Sequence, residues 1–393
     1  MIIFGNRAHY SAIGGVENSL RSLLKVVADQ QSPALMVCRV PLGNEALDAA
    51  SLHLPAGVEL TTYADEYLKH PLRRLLFLDQ GGESLRLVYR NLFTLYPGAL
   101  VIVRHHMHVL AADAAGFKDI RYLVPSLTVN QLRADLVGLS GIRWLKTRMH
   151  MLVDGWLQSK ALGKAKLFVF SLSMQQQVRL NMPKAERDSP ITMVSPGIDA
   201  GRFNSADHDE KRALRLSLNL PVEQKLLLFV GRFVQAKGLD YLLDALALMP
   251  LGCALVLVGE GDRELLMRGR VKYLGLANRV LFAGTTSSPE DYYRACDLFV
   301  MSSTYEPLGQ TILEAAACGM RLAAFSREAG VDTATQELGL DEVVDYAIEL
   351  SAESLGQAMK QSLNKLSEQV TREEHNTPKQ ISSWATLLDQ LTR

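Results

Sequence analysis

Short apolar runs alternate with longer amphipathic stretches along most of the chain. The runs that predict strands are 1–5, 34–40, 99–104, 121–125, 166–171, 225–231, 253–259, 279–284, 297–303 and 321–325. Many are apolar throughout, which is typical of strands buried on both faces of a parallel sheet. The stretches between them have helical spacing, so the pattern predicts an α/β fold of doubly wound type.

The predicted strands fall into two sets, separated by a polar stretch that follows a turn at Ser195-Pro196-Gly197. We therefore expect two Rossmann-like domains, at 1–195 and 196–374. With 393 residues, 48% of them hydrophobic and 21% charged, the chain is long enough for two such cores.

Charge is unevenly distributed although the net charge is zero. Residues 66–190 contain 18 Lys and Arg against 9 Asp and Glu, and the rest of the chain is acidic by the same margin. This asymmetry is either chance or the mark of an N-terminal half that faces an anionic partner. The basic stretch 140–166 also contains Trp144 and Trp156, and it is either a membrane-surface helix or an ordinary helix with its apolar face inward.

The cysteines and the N-terminus bear on compartment. The four cysteines, Cys38, Cys253, Cys296 and Cys318, show no paired spacing, so we expect buried reduced thiols. The first residues lack the pattern of a signal peptide, and no run is long enough for a membrane span. We expect a cytoplasmic protein, with peripheral docking on the inner face of the cytoplasmic membrane as a further possibility.

The stretch GRFVQAKGLDYLLDAL at 231–246 is the first candidate site. A buried strand ends at Gly231, and Arg232 and Lys237 then precede a helix. Ligands of open α/β sheets bind at the carboxyl ends of strands, and two cations beside a helix N-terminus suit a phosphate. The alternative is a solvated loop with ordinary basic residues.

The stretch YEPLGQTILEAAACG at 305–319 is the second candidate site. Glu306 stands in a turn and Glu314 stands in the helix that follows, with Gly309 between them. Backbone N–H groups at Gly309, Gln310 and Thr311 could hold a phosphate or sugar oxygen. Glu314 would accept hydrogen bonds from a diol, as acidic residues do for ribose.

Two weaker candidates lie in the N-terminal half. Gly14 and Gly15 end a loop before a helix and suit close approach to a diphosphate or sugar, although a plain turn is an equal alternative. His105, His106 and His108 end a predicted strand, where His106 and His108 would share one face. This cluster is a packed group, a sugar contact or a zinc site, and no fourth ligand has suitable spacing.

In their order along the chain, these motifs resemble the retaining GT-B glycosyltransferases of family 4. The similarity covers most of the second domain, from VSPGIDAGRF through LVLVGEGDRELL and VLFAGTTSSPEDYYRACDLFVMSS to EPLGQTILEAAACG, and is thinner in the first, at GGVENSL. It implies two doubly wound Rossmann-like domains that face each other across a cleft. It also implies that a C-terminal helix, at about 375–393, crosses back onto the first domain.

The resemblance also implies a role for each matching residue. Arg232 and Lys237 would bind the donor diphosphate, Glu314 the ribose diol and Glu306 the donor sugar. Gly14 and Gly15 would let the first loop approach the diphosphate, and His106 is the candidate for a sugar contact. Relatives often place a histidine after the fourth strand, where this chain has Pro125 and Ser126.

The implied reaction is transfer of a sugar from a UDP- or GDP-sugar to a saccharide or lipid-linked saccharide, with no metal, no other cofactor and no nucleic acid. The alternatives are a non-catalytic relative that binds sugar nucleotides, and an NAD(P)-dependent oxidoreductase. The stretch LVGEG at 257–261 argues against the latter, because the dinucleotide fingerprint lacks its third glycine.

Overall fold

The structure is a computed structural model that describes residues 1–7, 14–40, 54–64, 82–130, 136, 140–369 and 382–393. The chain forms two compact units. The first comprises Met1–Gly197 with Trp384–Arg393, and the second comprises Ile198–Ser383. The start of the predicted crossover segment, 375–381, lies outside the described residues.

The first unit contains a seven-stranded parallel sheet with the order β3-β2-β1-β4-β5-β6-β7. Its strands are β1 (Ile2–Gly5), β2 (Ala34–Arg39), β3 (Val58–Tyr63), β4 (Leu100–Val103), β5 (Ile120–Leu123), β6 (Lys166–Val169) and β7 (Ile191–Met193). Its described helices begin with α1 (Gly15–Asp29), α2 (Gly82–Leu95), α3 (His106–Ala115), α4 (Gly141–Leu162) and α5 (Leu172–Asn181).

The second unit contains a six-stranded parallel sheet with the order β11-β10-β9-β12-β14-β16. After the short β8 (Gly197–Ile198), the strands are β9 (Lys225–Val230), β10 (Cys253–Val258), β11 (Val280–Gly284), β12 (Leu298–Met301), β13 (Tyr305–Glu306), β14 (Arg321–Phe325), β15 (Asp332–Thr333), β16 (Val344–Ala347) and β17 (Ser382–Ser383). β13 and β15 pair with each other outside the main sheet.

The helices of the second unit are α6 (His208–Ser217), α7 (Leu239–Ala247), α8 (Glu264–Tyr273), α9 (Pro289–Ala295), α10 (Gln310–Ala317) and α11 (Ala352–Gln369). The last helix, α12 (Trp384–Thr392), belongs to the first unit. It buries Trp384, Leu387, Leu388 and Leu391, and the Leu391 carbonyl accepts a hydrogen bond from the Arg121 guanidinium on β5.

Three strands of the two main sheets, β3, β7 and β16, were missed by the apolar-run pattern, and all three lie at sheet edges. Two of these edge strands are partly exposed: β7 exposes Thr192 and Met193, and β3 exposes Glu59. In β16, which is largely buried, the apolar run is interrupted by Asp345, which pairs with Arg321. A strand with one open face does not need a continuous apolar run. The predicted central strands all form, because burial on both faces requires that run.

In both sheets the strand order reverses beside the first long strand, between β1 and β4 and between β9 and β12. Connections leave such a pair of strands toward opposite faces of the sheet, which opens a crevice at the strands' carboxyl ends. The sequence motifs that follow β9 and β12 therefore share one edge of the second sheet.

Helix α4 packs in an unexpected orientation. Its buried residues include Asp154 and Gln158, whereas Ile142, Trp144, Leu145, Met149, Leu152 and Trp156 are exposed. Ile142 is 84% exposed and Trp156 is 58% exposed. The interpretation of an ordinary helix with its apolar face inward does not fit these exposed side chains, although Ala161 and Leu162 at the C-terminal end are buried.

The described residues include no helix that is both long enough and apolar enough to cross a membrane.

Candidate active site

The loop after β9 presents two cations. Arg232 follows Gly231 and is exposed, and a short 3₁₀ turn, Gln235–Lys237, leads into α7. Gly238 joins that turn to the helix with a φ of +61°, and a Cβ there would come within 2.0 Å of the Ser302 carbonyl oxygen. Glycine is therefore required where the loop passes closely over the end of β12.

The loop of Lys237 is fixed to the segment that leads to Glu306. The Ser302 hydroxyl donates to the Lys237 carbonyl over 2.8 Å, and the Thr304 N–H donates to the Ala236 carbonyl over 2.9 Å. This framework brings the Lys237 ammonium into direct contact with the Glu306 carboxylate. Two residues 69 positions apart in sequence thus form one ion pair at the edge of the sheet.

The N-terminus of α10 adjoins this pair. Gly309 caps the helix with a φ of +80°, and a Cβ built on it would lie 3.1 Å from Ile312 Cγ2 and 3.6 Å from Glu306 Cγ. Gln310 and Thr311 form the first turn. The positive end of the helix dipole therefore lies beside Glu306, as expected of an anion-binding loop.

Glu314 is buried one turn further along α10. Its Oε2 accepts a hydrogen bond from the Tyr293 hydroxyl over 2.9 Å, and only 8% of the residue is exposed. Burial raises the pKa of Glu314 to about 7, against the opposing effects of the Tyr293 hydrogen bond and the Arg202 charge. Sequence reasoning missed Tyr293, which lies on α9 and is brought next to Glu314 by the packing of α9 against α10.

The stretch at 257–261 has a structural explanation. A Cβ on Gly259 would lie 2.1 Å from the Gly231 carbonyl oxygen, and one on Gly261 would lie 2.5 Å from the Phe233 carbonyl oxygen. The Phe233 N–H donates to the Glu260 carbonyl over 2.8 Å. These glycines let the loop after β10 pack, backbone against backbone, on the loop that carries Arg232.

The N-terminal glycines lie at the start of α1. Gly14 caps the helix in an extended conformation with φ 178°, and Gly15 is its first residue. Among the described residues, a Cβ at Gly15 would meet nothing within 4 Å, and one at Gly14 would first meet the Glu17 side chain. Glu17 in turn accepts a hydrogen bond from the Asn6 amide at the end of β1, over 3.0 Å.

The expectation that His105, His106 and His108 end a strand is wrong. β4 ends at Val103, His105 caps α3, and His106 and His108 lie within that helix. They point to different partners: His106 Nε2 lies 3.1 Å from Asp154 Oδ1, whereas His108 Nδ1 lies 3.0 Å from the Tyr89 hydroxyl. Residues two apart share a face in a strand but diverge in a helix.

Burial, reinforced by the charge of His106, lowers the pKa of His108 to about 3, so His108 is neutral and structural. Burial raises the pKa of Asp154, but His106 and Thr128 outweigh it and leave that pKa at about 2. Asp154 is therefore an ionised partner for His106, and sequence reasoning missed it. Its only signal was a lone acid within the basic stretch 140–166.

The segment after β5, where relatives often carry a histidine, is held by α4. The Gln158 side chain accepts from the Thr128 N–H over 2.8 Å and donates to the Ser126 carbonyl over 3.0 Å. In the described part of the chain, no group of three His, Cys, Asp or Glu side chains is arranged to hold a metal ion.

The two parallel sheets, each with a reversal of strand order, define the class of fold. The fold matches that of a sucrose-phosphate synthase from Thermosynechococcus elongatus, with a TM-score of 0.80 at 20% identity over 100% of this chain and 98% of that one. It also matches HepE from Anabaena in complex with UDP-glucose, with a TM-score of 0.70 at 18% identity over 100% and 98% of the two chains. The fold is GT-B.

Residues 210–371 match the model of the family described as Glycosyl transferases group 1. The matched residues lie within the second unit, Ile198–Ser383. A curated relative, the lipopolysaccharide core biosynthesis glycosyltransferase LpsE of Rhizobium meliloti (strain 1021), is 36% identical over 33% of this chain. The match spans only 36% of that relative's length.

Proposed function

We propose that this chain is a retaining hexosyltransferase that uses a UDP- or GDP-sugar and acts in assembly of a bacterial surface polysaccharide or glycolipid. The observation that carries the proposal is the contact of Lys237 with Glu306 beside the N-terminus of α10. A cation and a helix N-terminus suit a diphosphate, and an adjacent carboxylate suits sugar hydroxyls. The family match and the name of the LpsE relative support the same reading.

In the proposed reaction, the bond from the anomeric carbon to the diphosphate oxygen breaks and a bond to the acceptor oxygen forms on the same face. The acceptor proton passes to a phosphate oxygen of the donor. Arg232 and Lys237 stabilise the negative charge that grows on the leaving diphosphate, so that no metal is required. Retention follows from the resemblance to family 4.

Glu314 is assigned to the ribose diol. Its Oε2 is held by Tyr293, which fixes the plane of the carboxylate while the hydroxyl groups of the ribose donate to it. In other doubly wound folds, an acidic side chain accepts hydrogen bonds from the ribose hydroxyls of the bound nucleotide. The acceptor is a saccharide or lipid-linked saccharide hydroxyl.

The proposal is tested first by thermal shift and calorimetry with UDP, GDP and ADP, because a ligand at a fixed concentration stabilises the folded state more when it binds more tightly. The matching sugar nucleotide is then incubated without acceptor, and release of nucleoside diphosphate is measured with and without EDTA. Binding without release would favour the non-catalytic alternative. NMR of the product's anomeric proton in a transfer assay would test retention.

We expect affinity for the sugar nucleotide to fall as the pH drops below about 7. Glu314 must be ionised to accept from the diol, and its pKa of about 7 means that binding then requires release of a proton. The loss approaches about tenfold per pH unit. A sugar nucleotide is the right probe, because the terminal phosphate of a free nucleoside diphosphate itself titrates near neutrality.

Glu314→Gln is the control for this pH dependence. The variant should bind more weakly at pH 8 and show a flat profile between pH 6 and 8. A wild-type profile that is equally flat would contradict the assignment of Glu314 to the diol.

We further propose that α4 docks on an anionic membrane surface. Arg143, Lys146 and Arg148 share the helix with the exposed apolar side chains, and Lys160 lies over the Trp156 ring at 4.2 Å. Each cation near an anionic surface contributes about 1 kcal/mol, screened by salt. Binding to vesicles that contain phosphatidylglycerol should therefore be strong at low salt, and weak for neutral vesicles.

The triple variant R143E/K146E/R148E should lose most of this co-sedimentation while keeping nucleotide affinity. The matched control is K184E/K272E/K360E, which changes the net charge equally at exposed lysines that are not part of α4. Equal losses from the two triple variants would show that net charge, rather than the helix, governs binding.

A further inference from the structure

The contact between Lys237 and Glu306 is partly shielded from water. The side chains are 18% and 14% exposed, respectively. Such a pair is screened less than an exposed one, and removal of one partner leaves the other charge poorly solvated. In the part of the chain that the structure describes, Glu306 is the side-chain partner of Lys237. A diphosphate that binds Lys237 therefore competes with Glu306 for the charge of this ammonium group.

The backbones on both sides of the pair are fixed. Besides the hydrogen bonds that hold the Lys237 loop, the Glu306 carbonyl accepts from the Ala334 N–H over 2.9 Å. Glu306 itself belongs to β13, which pairs with β15. The contact can therefore open by rotation of the two side chains, without movement of a loop.

Opening the pair has different consequences for two related ligands. A nucleoside diphosphate replaces Glu306 as the anion on Lys237 but offers nothing to the displaced carboxylate, and its phosphate repels that carboxylate. A nucleotide sugar brings the same diphosphate together with sugar hydroxyls, which are hydrogen-bond donors. The displaced carboxylate keeps a partner only when the sugar is present.

We infer that Glu306 makes the site discriminate against spent nucleoside diphosphate and in favour of the intact nucleotide sugar, through exchange of its carboxylate between Lys237 and the donor sugar. This inference rests on the proposed function. It assigns to Glu306 a role in specificity and product release besides contact with the sugar.

The test is calorimetric titration of wild type and Glu306→Gln with inorganic pyrophosphate, with UDP and UDP-glucose, and with GDP and GDP-mannose. Pyrophosphate reports on the cations without knowledge of the base. We expect Glu306→Gln to bind pyrophosphate and the preferred nucleoside diphosphate about tenfold more tightly, the scale of one charged contact. The matching nucleotide sugar should gain less or bind more weakly, so the preference for it shrinks.

Glu260→Gln is the matched control, since it removes the same charge from an exposed position at the same edge of the sheet. It should leave the preference unchanged. Lys237→Met with and without Glu306→Gln completes a double-mutant cycle. The gain from Glu306→Gln should be smaller in the Lys237→Met background, because only repulsion between the carboxylate and the diphosphate then remains and no ion pair has to open.

Two results would overturn the inference alone: an equal change in the affinities of diphosphate and nucleotide sugar, or a gain that is undiminished in the Lys237→Met background and so reflects general repulsion only. Failure of the wild-type chain to bind any of the nucleotides would overturn the proposed function, and this inference with it. Both kinds of failure are read from the same titrations.

Discussion

Asp297→Ala should lower the free energy of unfolding of the second unit by about 3–5 kcal/mol, the usual loss when one partner of a buried ion pair is removed. The Asp297 carboxylate accepts from Arg215 over 2.7 Å, from Lys211 over 2.9 Å and from the Leu226 N–H over 2.7 Å. Its removal would leave the buried Arg215 guanidinium without a counter-charge. It would also leave the Leu226 N–H on β9 without an acceptor.

This loss should depend on pH. Burial raises the pKa of Asp297, but Lys211 and Arg215 outweigh it and hold that pKa below its ordinary value. A carboxyl with a lowered folded-state pKa contributes stability above its unfolded pKa and loses it in acid. The difference between wild type and Asp297→Ala should therefore be full at pH 7 and shrink as the pH falls below about 4.

The measurement must report on the second unit. All three tryptophans, Trp144, Trp156 and Trp384, belong to the first unit, so their fluorescence does not report directly on unfolding of the second unit. Hydrogen exchange of the β9 amides in urea is the suitable readout. Glu223→Ala is the control, because its contact with Arg212 is long, at 3.8 Å, and exposed. If both variants exchanged alike, the buried network would not be stabilising.

The central strands and the glycine-containing loops of the second unit were predictable, because each produces a local signal in the sequence. A strand buried on both faces produces an apolar run, and a loop that approaches a ligand or another backbone needs glycine, as at Gly238 and Gly309. The partly exposed edge strands β3 and β7 have no such apolar run, whereas the edge strand β11 does. The predicted positions of Arg232, Lys237, Glu306 and Glu314 all fall at the carboxyl edge of one sheet.

Partners distant in sequence were not predictable. Tyr293 and Glu314 are 21 residues apart, and His106 and Asp154 are 48 residues apart. Neither pair has a fixed spacing that a pattern could detect, because separate elements bring them together. The position of His106 was misassigned for a local reason: a cap at His105, rather than a change in hydropathy, ends the extended segment.

Arg232→Ala and Lys237→Ala should each lower kcat/KM for transfer roughly 30-fold to 1000-fold. This corresponds to a loss of about 2–4 kcal/mol in transition-state stabilisation, the scale of one lost contact. In the proposed reaction both cations face charge that grows as the bond to the anomeric carbon breaks. Arg232 is exposed and, among the described residues, makes no side-chain hydrogen bond or ion pair, so its loss should leave the fold intact.

The two variants should differ in binding. Among the described residues, Arg232 has no side-chain partner to give up when the donor binds, so Arg232→Ala should report the whole contribution of this cation to diphosphate affinity. Lys237→Ala also ends the contact with Glu306, which leaves an uncompensated carboxylate beside the diphosphate and adds repulsion to the lost attraction. Lys237→Ala should therefore weaken pyrophosphate binding more than Arg232→Ala.

Steady-state kinetics with the preferred sugar nucleotide measure the effect on transfer, and titration with pyrophosphate measures the effect on diphosphate binding. Unchanged kcat/KM in either purified variant would remove that residue from the donor site.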